Sequence, residues 1–134
     1  MDRSWNRIFG WAFGVVYIVV GLVGFLVTRN VGFTATQGKL LVVFAINPLH
    51  NLVHIAVGAL LVIGATSGVQ GARMVNGIVG AVYLLVGIVG IFLVNSSANI
   101  IALNHPDNIL HLVTAVIALG IALRGDSFEP SKAM

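Results

Sequence analysis

Four long apolar runs, each almost free of charge, confine this chain to a lipid setting. They extend from about Ile8 to Thr28, Pro48 to Thr66, Met74 to Val94 and Pro106 to Leu123. A helix crosses the hydrocarbon core with about 20 residues, in a usable range of about 17–25. All four runs qualify. The second and fourth are near the short end, so their polar first turns are expected in the outer part of the membrane. Only 8% of the 134 residues are charged and 58% are hydrophobic, whereas a soluble domain carries roughly 25% charged residues. The sequence therefore predicts one all-α membrane domain of four transmembrane helices.

The seven basic residues lie singly at the ends of the apolar runs. They report topology and exclude a nucleic-acid surface. Arg3, Arg7, Arg73, Arg124 and Lys132 fall on one side of the expected spans, against Arg29 and Lys39 on the other. This bias places both termini in the cytoplasm and leaves 124–134 as a short cytoplasmic tail. The first run is too long for a signal-peptide core and lacks an A-x-A site, so it reads as a retained helix. Cysteine is absent, which removes disulfides and thiolate sites.

The chain also repeats itself. Val16-Tyr17-Ile18-Val19-Val20-Gly21-Leu22-Val23-Gly24 aligns with Val82-Tyr83-Leu84-Leu85-Val86-Gly87-Ile88-Val89-Gly90, and the same offset pairs Arg7 with Arg73 and Gly14 with Gly80. A second offset pairs Ala45-Ile46-Asn47 with Ala102-Leu103-Asn104, and Asn51-Leu52-Val53-His54 with Asn108-Ile109-Leu110-His111. Repeat one spans 7–66 and repeat two 73–123. Each contains two spans, so both enter the membrane in the same direction, and a pseudo-two-fold axis along the membrane normal is expected. The simplest arrangement is a four-helix bundle of two tandem hairpins.

Two patterns run along these helices. Gly10, Gly14, Tyr17, Gly21, Gly24 and Thr28, with counterparts Asn76, Gly80, Tyr83, Gly87, Gly90 and Val94, form near-heptad seams of small residues. Such seams let helix backbones approach closely. Tyr17 and Tyr83 interrupt them at equivalent points, too deep for the interfacial belt that suits Trp5 and Trp11. Each needs a hydroxyl partner, expected among the stripe residues of helices two and four described next. Between helices one and two, Lys39–Ile46 is apolar and short, and it is expected as a half-helix lying at the outer interface or dipping back in. Ala98–Leu103 is its shorter counterpart.

The second pattern carries the chemistry. Asn47, His50, Asn51 and His54 stand at i, i+3, i+4 and i+7, and Asn104, Asp107, Asn108 and His111 repeat the spacing. Each set makes a polar stripe on one helix face. Asn47 before Pro48, and Asn104 before His105-Pro106, read as helix caps, with His105 in water at the outer mouth. Asn51 and Asn108 read as register-setting interhelical hydrogen bonds. His50, His54 and His111 with Asp107 remain, two pairs related by the repeat. Imidazole with carboxylate suits a divalent ion such as zinc, copper or iron, with Asn51, Asn108, Tyr17 and Tyr83 around the ligands. His54 and His111 also suit bis-imidazole ligation of a heme. A purely structural polar core, in an accessory or scaffold protein, is the third reading. The inner helix halves are apolar, which disfavours a channel or pump. No hydrolase motif is present, so the sequence points away from an enzyme.

At these stripes, in Asn47-Pro48-Leu49-His50-Asn51-Leu52-Val53-His54 and Asp107-Asn108-Ile109-Leu110-His111, the chain resembles four-helix bacterial membrane proteins, mainly actinobacterial, grouped as a domain of unknown function. The resemblance runs from about Arg7 to Leu123. It implies a location in the bacterial plasma membrane and transfers no activity. A looser similarity to DoxX-like membrane proteins transfers no role. Beyond the lipid bilayer itself, the sequence names no partner.

Overall fold

The computed structural model describes residues 4–124 and residue 126. Arg3, Lys132 and the expected tail, apart from Arg124 and Asp126, lie outside the described residues. Four helices carry the described chain: α1 (Trp5–Val27), α2 (Pro48–Thr66), α3 (Val69–Leu93) and α4 (His105–Arg124). All four are long and apolar enough to cross a membrane, which makes this a multi-pass membrane protein in contact with lipid. Their outward faces carry exposed Val, Leu, Ile and Phe, a surface suited only to an apolar solvent.

Local sequence sets the helix ends. Ser4 caps α1 by accepting from the Arg7 amide, and Asn47 caps α2 by accepting from the His50 amide, with Pro48 in the first turn. Thr28 closes α1, its backbone N–H donating to the Gly24 carbonyl. α2 and α3 are joined by a tight turn at Ser67-Gly68. Gly68 has φ 98°, a left-handed conformation that glycine adopts without a Cβ penalty. The turn lets α3 begin at Val69, ahead of the Met74 where its apolar run starts.

The glycine seams pair α1 with α2 and α3 with α4. A Cβ at Gly14 would lie 2.8 Å from the Gly58 carbonyl oxygen, and one at Gly80 would lie 2.8 Å from Leu119 Cγ. These helices touch backbone to backbone, where dispersion replaces the hydrophobic drive that lipid removes. Arg7 Nε donates to the Ala65 carbonyl (2.9 Å) and Arg73 Nε to the Ala122 carbonyl (2.7 Å). Each arginine thus satisfies a last-turn carbonyl of its partner helix. Phe9, Tyr17, Leu61, Val79, Tyr83, Ala115 and Ala118 form the core between the two pairs. α1 and α4 approach one another only sparsely.

The segment Lys39–Ile46 is not a half-helix. It is a two-stranded antiparallel hairpin, β1 (Lys39–Leu41) and β2 (Phe44–Ile46), with Lys39 opposite Ile46, Leu40 opposite Ala45 and Leu41 opposite Phe44. Phenylalanine and isoleucine, at the two ends of β2, suit a pleated ribbon. The turn strains one residue: Val42 has φ 61°, a region that β-branched side chains rarely enter. The shorter loop after α3 folds as turns instead. There Asn99 Nδ2 donates to the Leu103 carbonyl and the Leu103 amide donates to Asn99 Oδ1, both at 2.8 Å.

Candidate functional site

Both stripes face inward at the hairpin end of the bundle. Asn47, His50, Asn51, His54, Asp107, Asn108 and His111 are all buried. The cap positions explain why two matching stripes end differently. Asn47 and Asn104 each begin a helix, so His50 and Asp107 each stand three residues on, where a side chain can turn back to the helix start. A carboxylate does so. The Asn104 amide donates to Asp107 Oδ2, and the Asp107 amide donates to Asn104 Oδ1, each at 3.1 Å. This is a reciprocal capping box. Imidazole cannot reproduce it. The His50 amide donates the cap bond to Asn47 Oδ1, at 2.8 Å, while its ring meets the His54 ring inside the bundle.

Three of the four expected ligands therefore meet. His50, His54 and His111 each offer a nitrogen, and these atoms lie within 4.8 Å of one another. Asp107 stands outside that set, held in its capping box. The signal for this was present in the sequence, since Asn-x-x-Asp before an apolar run is a capping pattern. Nitrogens so spaced sit at most about 2.8 Å from a common centre, and zinc takes imidazole nitrogen at about 2.0–2.1 Å. Side-chain rotations of less than 1 Å would close the difference.

His50 Nε2 and His54 Nε2 lie 3.1 Å apart and share one hydrogen bond. In the neutral rings only one of them carries that proton. The acceptor must then hold its proton on Nδ1, while the donor keeps an unprotonated Nδ1. Neither Nδ1 has a partner among the described residues, nor has His111 Nδ1. The His50–His54 pair thus buries one unused donor and one unused acceptor together, a costly arrangement in a low-dielectric interior.

A heme between His54 and His111 meets an obstacle. Their ring centroids are 6.4 Å apart, and the His50 centroid lies 4.5 Å from one and 6.1 Å from the other. Those distances put the His50 ring about 4 Å from the midpoint, in the space a macrocycle ligated on both faces would fill.

The tyrosines close the core-facing side of the trio. Tyr17 meets the His54 ring at 5.1 Å between centroids and the Tyr83 ring at 5.6 Å, both edge-on, and Tyr83 lies 4.9 Å from the His111 ring. The Tyr17 hydroxyl pairs with Thr114 Oγ1 at 3.2 Å, one turn beyond the expected stripe. Thr114 was missed because a lone threonine in an apolar helix has no periodic signal. Tyr83 Oη has no partner among the described residues. The asparagines do not pair with each other. Asn51 Nδ2 donates to Thr28 Oγ1 (2.9 Å), and Thr28 Oγ1 donates to the Gly24 carbonyl (3.0 Å). Neither amide atom of Asn108 has a partner among the described residues. Asn47 Nδ2 donates to the carbonyls of Ala35 (2.9 Å) and Ile100 (2.7 Å), joining the two loops above the trio.

A family model described as a domain of unknown function, DUF4383, matches residues 7–124. No curated protein and no solved structure matches the chain.

Proposed function

The chain belongs to the DUF4383 family of domains of unknown function, and on that footing we propose that it is a plasma-membrane protein that holds one divalent metal ion on His50, His54 and His111. The observation that carries this reading is the convergence of three buried imidazoles, each offering one nitrogen within 4.8 Å of the others. Three imidazoles suit zinc, copper or iron. Three protein ligands leave one position open for water or another small ligand. Asn51, Asn108, Tyr17 and Tyr83 surround the ligands, and the unpartnered Tyr83 hydroxyl is a ready hydrogen-bond donor to an occupant of that fourth position. Asp107 orders the first turn of α4 from its capping box.

The same proposal places both termini in the cytoplasm, on the charge bias of the basic residues, and relates the two halves by a pseudo-two-fold axis along the membrane normal. The paired Arg7–Ala65 and Arg73–Ala122 contacts support that relation.

Metal analysis of detergent-purified protein loaded with zinc or cobalt tests the metal reading. One ion per chain is expected, with cobalt giving the visible bands of a low-coordinate nitrogen site. His50→Ala, His54→Ala and His111→Ala each weaken binding by at least the 10–100-fold typical of losing an outer-shell partner, whereas Asp107→Asn leaves it intact. Absence of stoichiometric metal after loading leaves the scaffold reading in place, and a Soret band would favour heme despite the position of His50.

A further inference from the structure

α1 and α4 leave the most open seam of the bundle, and a cavity of about 280 Å³ lies along it. Phe13, Val16, Tyr17 and Val20 form its α1 wall, at the i, i+3, i+4 and i+7 positions of one helix face. They occupy the middle of α1 (Trp5–Val27), so the cavity lies at the depth of the hydrocarbon core. Leu110 of α4 and Leu41 of the hairpin line it from other sides. Val16 and Val42 border it and are exposed. The cavity therefore opens outward and is continuous with the surface that meets lipid. Although His54 and Asp107 also border it, its wall is hydrocarbon almost throughout.

We propose that this cavity holds one acyl chain of a bilayer phospholipid. The apolar wall excludes the other classes of occupant. An ion or a lipid headgroup would lose its water with no charge or donor to replace it. A peptide segment would bury backbone N–H and C=O groups without partners. A second transmembrane helix, about 10–12 Å across, is too wide for the space. A hydrocarbon chain has no polar group to desolvate, and the bilayer supplies it in excess, so weak affinity is enough for occupancy. The dimensions agree. The four α1 residues extend over about 10 Å at a rise of 1.5 Å per residue. The six carbons of benzene fit an apolar cavity of about 150 Å³, so this one admits a chain end of about ten carbons. Seated there, the chain supplies the dispersion contacts that α1 and α4 do not make with each other. The site needs no metal ion and stands apart from the metal reading.

The test is native mass spectrometry of the full chain released from nanodiscs of palmitoyl-oleoyl phosphatidylglycerol. One phospholipid per chain is expected to survive a collision energy that strips the rest. Val20→Trp and Leu110→Phe fill the cavity from two of its walls, and each is expected to lower the retained fraction at least tenfold at that energy. Val20→Phe is the smaller step if Val20→Trp fails to fold. Val19→Trp adds the same bulk on an exposed part of α1 outside the lining and is expected to leave retention unchanged. Thermal unfolding gives a second readout: added phospholipid should raise the melting temperature of the unmodified chain more than that of either filled variant. Equal retention in the unmodified chain and the filled variants would place the lipid elsewhere, as would an equal loss in Val19→Trp. A dimer that carries no phospholipid would put a second copy over this face. Any of these results overturns the proposal.

Discussion

Asn51 and Asn108 occupy aligned places in the two halves of the sequence, yet only the first is hydrogen-bonded through its side chain. The tyrosines divide the same way: Tyr17 pairs with Thr114, and Tyr83 has no partner among the described residues. One kind of difference accounts for both. Asn51 bonds Thr28, and the offset that aligns Tyr17 with Tyr83 sets Val94 in place of Thr28. Thr114 serves Tyr17, and the offset that aligns His54 with His111 sets Val57 opposite Thr114. Twice, a threonine that satisfies one polar group is answered by a valine that leaves its counterpart unsatisfied. A buried polar group without a partner is costly, and here Asn108 and Tyr83 belong to the same helix pair as His111. Polarity alone does not mark a site in this bundle. Polarity left unspent does, and it gathers around the trio, on His50 and His54 of α2 as well as on Tyr83, Asn108 and His111.

The largest expected effect comes from the glycines beneath the two asparagines. A Cβ at Gly24 would collide with Asn51 Oδ1, and one at Gly90 with Asn108 Oδ1. Asn51 is held by its bond to Thr28, whereas the Asn108 amide has no hydrogen bond to break in moving aside. Gly24→Ala should therefore cost about 2 kcal/mol, within the range for overpacking, and Gly90→Ala distinctly less. Reversible unfolding in mixed dodecylmaltoside–SDS micelles measures both. Equal losses would mean that the missing hydrogen bond does not loosen Asn108, and the comparison between halves would fail at that point.

Exchanging the residues beside the tyrosines comes next. Thr114→Val strands the Tyr17 hydroxyl and should cost about 1 kcal/mol, between the penalty for a buried unsatisfied group and the smaller values found in membranes. Val57→Thr offers Tyr83 the partner it lacks and should be neutral or slightly stabilising in the same unfolding assay. If it instead lowers zinc affinity, the free Tyr83 hydroxyl is serving the bound ion rather than waiting for a structural partner. Thr28→Val and Val94→Thr form the matching pair at the asparagines, with an expected loss of about 0.6 kcal/mol for the first, the average for an interhelical bond in a membrane. A double mutant carrying both changes would show whether the two halves exchange roles.

What the sequence makes legible in this fold depends on the length scale of each signal. Helix number and the inward-facing stripes follow from periodicity over many residues, as do the glycine seams. Asn47 as a cap follows from the Asn-Pro pair. The hairpin at Lys39–Ile46 is hidden because seven apolar residues without alternation, after a single lysine, fit several short structures, and its turn uses valine where glycine is the usual signal. Asp107 was placed among the ligands because imidazole and carboxylate are both metal donors. Its capping role competes for the same oxygen, and a spacing rule alone cannot rank the two. Thr28 and Thr114 matter through single contacts between helices, which no property of either helix alone encodes.

The smallest effect lies at the end of the bundle where the described termini meet. α1 begins under a side-chain cap, with Asp126 accepting from Ser4 Oγ, Asn6 Nδ2 and the Trp5 amide, whereas α3 begins at Gly68 with no side-chain cap bond. Slight burial raises the Asp126 carboxyl, but those donors outweigh it and hold the group below its ordinary value. The sign follows from that depression. The contribution is complete above the unfolded carboxylate value of about 4 and is lost as pH falls through the lower folded value. Amide exchange, corrected for intrinsic rates, should therefore show protection of the first turn of α1 declining on acidification while the first turn of α3 stays constant. Asp126→Asn should flatten the α1 profile. The group is largely exposed, so the change belongs to local fraying and leaves global unfolding almost unmoved. An α3 terminus that loosens in parallel would show that acid acts on both helix starts alike, and the contrast between them would not rest on Asp126.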